Sequence, residues 1–199
     1  HYMFAESELH SKPANEEMEQ LIKDLIFVGG DSIQYDPRLQ FDLAYLYELL
    51  GKTDSAVSVY KDLIELEGNP PEKIMAYYRL ANIYKNSSPD DAIVYLTPLI
   101  TRYQKGFYDE EHNREEYPMF PKFNDNNPFD DALLMAGDIL RTSGGEANLV
   151  KASEYYMNVL LLCPDLNQEN LRLARERLAD VYDQLGKGEI ANKLRQGGL

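Results

Sequence analysis

The residues with the most reactive chemistry in this sequence are few, and their spacing does not assemble a reaction centre. An acidic run, "DEEHNREE", brings Asp109, Glu110, Glu111, His112, Glu115 and Glu116 together within eight residues. Carboxylates and an imidazole so close together are the raw material of a metal site. A calcium loop, however, needs oxygen ligands alternating along about twelve residues. A zinc set needs His or Cys ligands at paired spacings. Neither pattern is here, so the run reads as a solvated acidic surface. The other two histidines, His1 and His10, fall in an N-terminal tail. The single cysteine, Cys163, closes the apolar stretch "VLLLCP" and reads as a small core residue at a helix end rather than a nucleophile. No Gly-rich phosphate loop, nucleophile elbow or zinc-binding helix motif occurs. Gly29-Gly30 and Gly144-Gly145 read as turns. The sequence points away from catalysis, and no metal or cofactor is expected.

The charge narrows the partners. The 199 residues carry a formal net charge of −14. Sequence-independent binding to nucleic acid needs Lys and Arg to neutralise phosphates, so it is disfavoured. Docking on an anionic membrane surface is disfavoured for the same reason. No apolar run approaches the roughly 20 residues of a membrane span; the longest, "LIKDLIFV", is interrupted by Lys23 and Asp24. One cysteine excludes an intramolecular disulfide. The opening His1-Tyr2-Met3 reads as a cloning scar, so a missing leader carries no information about compartment.

With little chemistry in single residues, the elements that present them become the question. The stretch "LAYLYELLGKTDSAVSVYKDL", residues 43–63, has small residues where a core helix ordinarily has large ones. Gly in a helix interior is costly, but Gly51 suits the end of one helix and the start of another. Ala44, Tyr47, Gly51, Ala56, Tyr60 and Leu63 follow at steps of three, four, five, four and three. Ala179, Tyr182, Gly186 and Ala191 repeat the first three steps without a gap. Ala81, Tyr84, Ala92, Leu96 and Leu99 form another copy with a turn one residue shorter. Ala136, Ile139, Ala152, Tyr156, Val159 and Pro164 form a fourth, its turn four residues longer and filled by "SGGEAN". An irregular helical bundle is the plainer alternative; it is all-α as well, since alternating strand patterns are lacking.

This spacing resembles the tetratricopeptide repeat family, built from helix–turn–helix units of about 34 residues. Leu43, Leu80, Met135 and Leu178, just before the small anchors, fit it too, whereas the family's Trp is absent. The resemblance implies an all-α, right-handed superhelical solenoid, each pair burying its apolar face on its neighbours. Most tyrosines are then structural, with hydroxyls that need a polar partner. The expected organisation is a tail over 1–15 and one array over 16–199. The array has a capping helix at 16–28 and units at about 36–70, 72–104, 129–164 and 170–196. An aromatic and acidic insertion at 105–128 separates the second unit from the third. Met18, Leu21, Ile22, Leu25 and Ile26 would let the cap cover the first pair. At the far end, Arg195 replaces the aromatic and Gly198 takes the next small position, as in a polar cap.

The resemblance also implies where partners sit: in a concave groove lined by the first helix of each pair. The groove positions are Phe41 and Tyr45; Tyr78, Arg79, Asn82 and Lys85; Leu133, Gly137 and Arg141; and Glu176, Arg177 and Asp180. Aromatic and Arg side chains are the usual interface anchors. The family's clamp for chaperone carboxy-termini needs paired Lys and Asn on the first inner helix. Phe41 and Tyr45 stand there instead, so that clamp is not expected. In the insertion, Phe107, Tyr108, Tyr117, Phe120 and Phe123 are too aromatic for a purely disordered spacer. Three prolines break any helix there. This segment is expected either to bind a partner or to pack on the array.

The reading is a non-catalytic protein-interaction module or scaffold holding a partner segment in its groove. Self-association within a larger assembly and a client-specific chaperone remain as alternatives. Units such as "PFDDALLMAGDILRT" look like those of bacterial envelope lipoproteins with these repeats. The compartment stays open between cytoplasm and bacterial envelope.

Overall fold

Local chemistry decides where the helices begin and end. Asp36 caps α2 (Pro37–Leu49): its Oδ1 accepts from the backbone N–H of Arg38 at 2.9 Å and of Leu39 at 3.2 Å, and Pro37 occupies the first turn, where a missing N–H costs nothing. Gly51 ends the helix at φ +71°, with its N–H donated to Glu48 O and that of Lys52 to Tyr47 O, both at 2.9 Å. Gly186, at φ +73°, repeats the device with Asp183 O and Tyr182 O. The shared spacing of the first and last units is therefore one turn geometry used twice.

The computed structural model describes residues 15–68, 70–108, 128–162 and 168–197, with side chains throughout except at 102–108 and 162. Among these residues there is no strand. The order is α1 (Asn15–Gly29), a 3-10 turn (Gly30–Tyr35), α2, α3 (Thr53–Glu65), α4 (Pro71–Tyr84), α5 (Pro89–Tyr108), α6 (Phe129–Ser143), α7 (Glu146–Leu162), α8 (Gln168–Gln184) and α9 (Gly188–Arg195). The acidic run, Tyr117, Phe120, Phe123, Cys163, Pro164 and Gly198 lie outside the described residues, as do His1 and His10. The chain divides into two compact units, His1–Leu80 and Ala81–Leu199. In the first, α1 packs on α2 and α2 on α3. In the second, α5, α6, α7, α8 and α9 pack each on the next. This is the all-α, pairwise arrangement of helix–turn–helix repeats.

The small anchors sit where helices meet. Ala44, Ala56, Ala81, Ala92, Ala136, Ala152, Ala179 and Ala191 are all fully buried, as are Tyr60 and Tyr156. Each fully buried Leu or Val around them, such as Leu63, Leu80, Leu133, Val159 and Leu178, stabilises the fold by roughly 1.5–3 kcal/mol before entropy is counted.

Three expectations need correction. The extra residues in the fourth copy are not a longer turn: Gly144 and Gly145, at φ +70° and +82°, make the whole reversal. Glu146, Ala147 and Asn148 already belong to α7, where Asn148 Nδ2 donates to Gly144 O at 2.9 Å. Two successive positive φ values, which only glycine adopts freely, turn the chain in two residues and leave the surplus to lengthen the helices. At the other edge of the insertion, α5 continues to Tyr108, so Phe107 and Tyr108 stand on helical backbone. In α1, Met18 and Ile22 are buried as a cap requires, but Leu21 and Ile26 are each 45% exposed. The apolar face of the helix is wider than the surface it packs on.

Candidate functional site

In the first unit α2 presents Phe41 and Tyr45 one turn apart. Their rings stack at 6.3 Å, 12° from parallel, and Phe41 also tilts against the buried Tyr60 ring at 5.8 Å. From α4, Arg79 lays its guanidinium over the Tyr45 ring, 4.6 Å from the centroid, and reaches Glu48 at 3.5 Å. The other oxygen of Glu48 accepts the Tyr60 hydroxyl at 3.0 Å. Burial pushes the Tyr60 hydroxyl pKa up, and the Glu48 charge pushes it further. The tyrosine is held as a neutral donor. Phe41, Tyr45, Glu48 and Arg79 are all half-buried, so the row Phe41–Tyr45–Arg79 is a preformed surface with one side in solvent.

The second unit repeats the wiring. Asp138 on α6 accepts the Tyr156 hydroxyl from α7 at 2.8 Å. It pairs with Arg177 from α8 at 2.7 Å and, more loosely, with Arg141 at 3.7 Å. Arg141 Nε donates to the Tyr156 oxygen at 3.3 Å. Gly137 lies beneath the ring; a Cβ built there would sit 2.5 Å from Tyr156 Cε1. Arg79 and Arg177 each stand two residues before a small anchor, Ala81 and Ala179, and each takes a carboxylate from an earlier inner helix. These arginines, placed in the groove by the repeat pattern, hold one repeat against another. In α9, Arg195 stands at the position held by Tyr60 and Tyr156 in their units and meets Asp180 at 3.0 Å and Asp183 at 2.6 Å. A cation reaches from that position for the same kind of acceptor.

The remaining groove positions divide. Lys85 donates to Asn82 at 2.8 Å in the second unit, and Tyr78 is half-buried in the first. Leu133 is fully buried and is corrected from groove lining to core, because its side of α6 faces the neighbouring helices. Gly137 is likewise covered, by Tyr156. Glu176 pairs with Arg172 at 2.5 Å, and Asp180 is engaged by Arg195. Glu48 and Asp138 are the residues that the sequence reading did not single out. Their signal was an acid within one turn after a small anchor in a unit whose second helix carries Tyr. Among the described residues no cluster of three His, Cys, Asp or Glu side chains could hold a metal ion, and no helix is long and apolar enough to cross a membrane.

Residues 37–70, spanning α2 and α3, match the family model for the tetratricopeptide repeat. Over this one helix–turn–helix unit the chain is similar to the tetratricopeptide repeat. No curated protein matches it. The repeat is in general a protein–protein interaction module rather than a catalytic one. The matched unit is the one that carries the Phe41–Tyr45 stack.

Proposed function

We propose that the protein is a non-catalytic scaffold that holds an extended or helical segment of a partner protein on its inner helices, with Phe41 and Tyr45 as the apolar anchor. The single observation that supports this reading is the Phe41–Tyr45–Arg79 row: two rings stacked and partly in solvent, with a guanidinium already fixed over one of them. Such a surface loses little side-chain freedom on binding, so its affinity is not spent on ordering. Arg79 is balanced by Glu48, so the rings rather than net charge supply the attraction, and the partner segment brings an apolar side chain to meet them.

The test is selection of peptides from a random displayed library against the intact chain, followed by calorimetric titration of a selected peptide. Tyr45→Ala weakens binding by about tenfold or more, the size of an interface anchor, while the circular-dichroism spectrum is unchanged. Equal affinity for the chain and for both Phe41→Ala and Tyr45→Ala removes this reading.

A further inference from the structure

The N-terminal helix carries apolar surface that the repeats do not use. Met18 and Ile22 face the first pair and are buried, whereas Val28 is 83% exposed and Leu21 45%. Leu21, Leu25 and Val28 follow at steps of four and three, so they share one side of α1. Large apolar side chains grouped in solvent are costly for an isolated molecule and mark contact surfaces.

The charges around this face say what it fits. Along α1, Glu16, Glu17, Glu19 and Asp24 stand against a single Lys23. Lys52 engages Glu19 at 3.0 Å, which leaves Glu17 and Asp24 on the outward side with the apolar stripe. A second copy of the chain would bring the same acidic rim and a net charge of −14 to the contact. An anionic lipid surface would be repelled for the same reason. Complementary charge across an interface selects the partner and suppresses the wrong ones. We propose that the outward face of α1 docks a basic amphipathic helix of a partner protein. The apolar side of that helix rests on Leu21, Leu25 and Val28, and its Lys or Arg residues lie beside Glu17 and Asp24. This surface is separate from the Phe41–Tyr45 row, so either can fail without the other.

The probe is a synthetic helix of about five turns with Leu on one face and Lys on the other, labelled for fluorescence anisotropy, beside a scrambled peptide of the same composition. The intact chain binds the amphipathic peptide and not the scrambled one. Leu21→Ser with Val28→Ser weakens binding by about tenfold, and so does Glu17→Lys with Asp24→Lys. Tyr45→Ala leaves it unchanged. All the substituted α1 side chains are exposed or on the outward face, and circular dichroism confirms retained helix. The proposal is overturned by equal binding of the scrambled peptide, by undiminished binding of both α1 variants, or by loss of binding in Tyr45→Ala. It is also overturned if light scattering shows a dimer that Leu21→Ser/Val28→Ser converts to monomer, since a second copy then covers the face. Binding that appears only after removal of residues 1–14 overturns it too, because the chain's own N-terminus is then the occupant.

Discussion

Gly137 and Gly51 are both small for a reason, and the reasons separate in experiment. A methyl at Gly137 meets the buried Tyr156 ring at 2.5 Å, so Gly137→Ala costs about 1–3 kcal/mol by overpacking, more than the helix propensity it gains. Combining it with Tyr156→Leu, which removes the ring edge, recovers part of the loss in a denaturant-unfolding cycle. At Gly51 nothing lies within 4 Å of an added Cβ. Gly51→Ala therefore pays only for φ +71°, about 1 kcal/mol, and no second-site change relieves it. The buried tyrosines give a pH signature. Burial, reinforced by Glu48 and Asp138, raises the hydroxyl pKa of Tyr60 and Tyr156 above the unfolded value of about 10. The folded chain thus keeps protons that the unfolded chain loses. The stability they contribute is full below about pH 10 and is lost as pH rises beyond it. Thermal midpoints fall on the alkaline side, and fall less steeply in Tyr60→Phe/Tyr156→Phe; equal slopes contradict the assignment. The burial of these two rings was readable from their spacing behind Ala56 and Ala152. Their acceptors were not, because Glu48 lies four residues after its anchor and Asp138 only two. Reach across helices, not sequence period, decides which acid meets the hydroxyl.

Between elements, Asp138 ties α6, α7 and α8 together. Removing Arg177 leaves the carboxylate still accepting from Tyr156, with Arg141 nearby. Removing Asp138 leaves two guanidinium groups and a hydroxyl without it. Asp138→Ala is therefore expected to destabilise more than Arg177→Ala. A double-mutant cycle should return a coupling of about 0.5–2 kcal/mol, and a coupling near zero means that the contact is incidental. Helix existence and order were legible because the small anchors recur at fixed steps. The two-residue Gly144-Gly145 reversal was not, since a run of six loop-like residues looks the same whether four of them are helical or none. The width of the α1 face was legible as composition, in "LIFV", but burial depends on what the rest of the chain brings to it. Leu133 misled for a related reason: the repeat pattern assigns a helix face, and the packing of α6 against neighbours on more than one side covers that face.

For the molecule as a whole, the −14 charge works against compactness, while the exposed ion pairs, such as Lys52–Glu19 and Arg172–Glu169, are worth little each. Screening should therefore help more than it harms. The thermal midpoint is expected to rise by a few degrees as salt goes from about 0.01 M to about 0.15 M, where the Debye length shrinks from about 30 to about 8 Å. A fall would mean that the ion-pair networks outweigh the net repulsion. The family match over residues 37–70 and the pairwise packing of neighbouring helices support the reading as an interaction module. The proposal that its inner helices hold a partner segment is most directly tested by amide hydrogen exchange of the intact chain with and without a selected peptide. Protection concentrated in α2 and α4, around Phe41, Tyr45 and Tyr78, is the expected result. Protection that leaves α2 and α4 unchanged contradicts it.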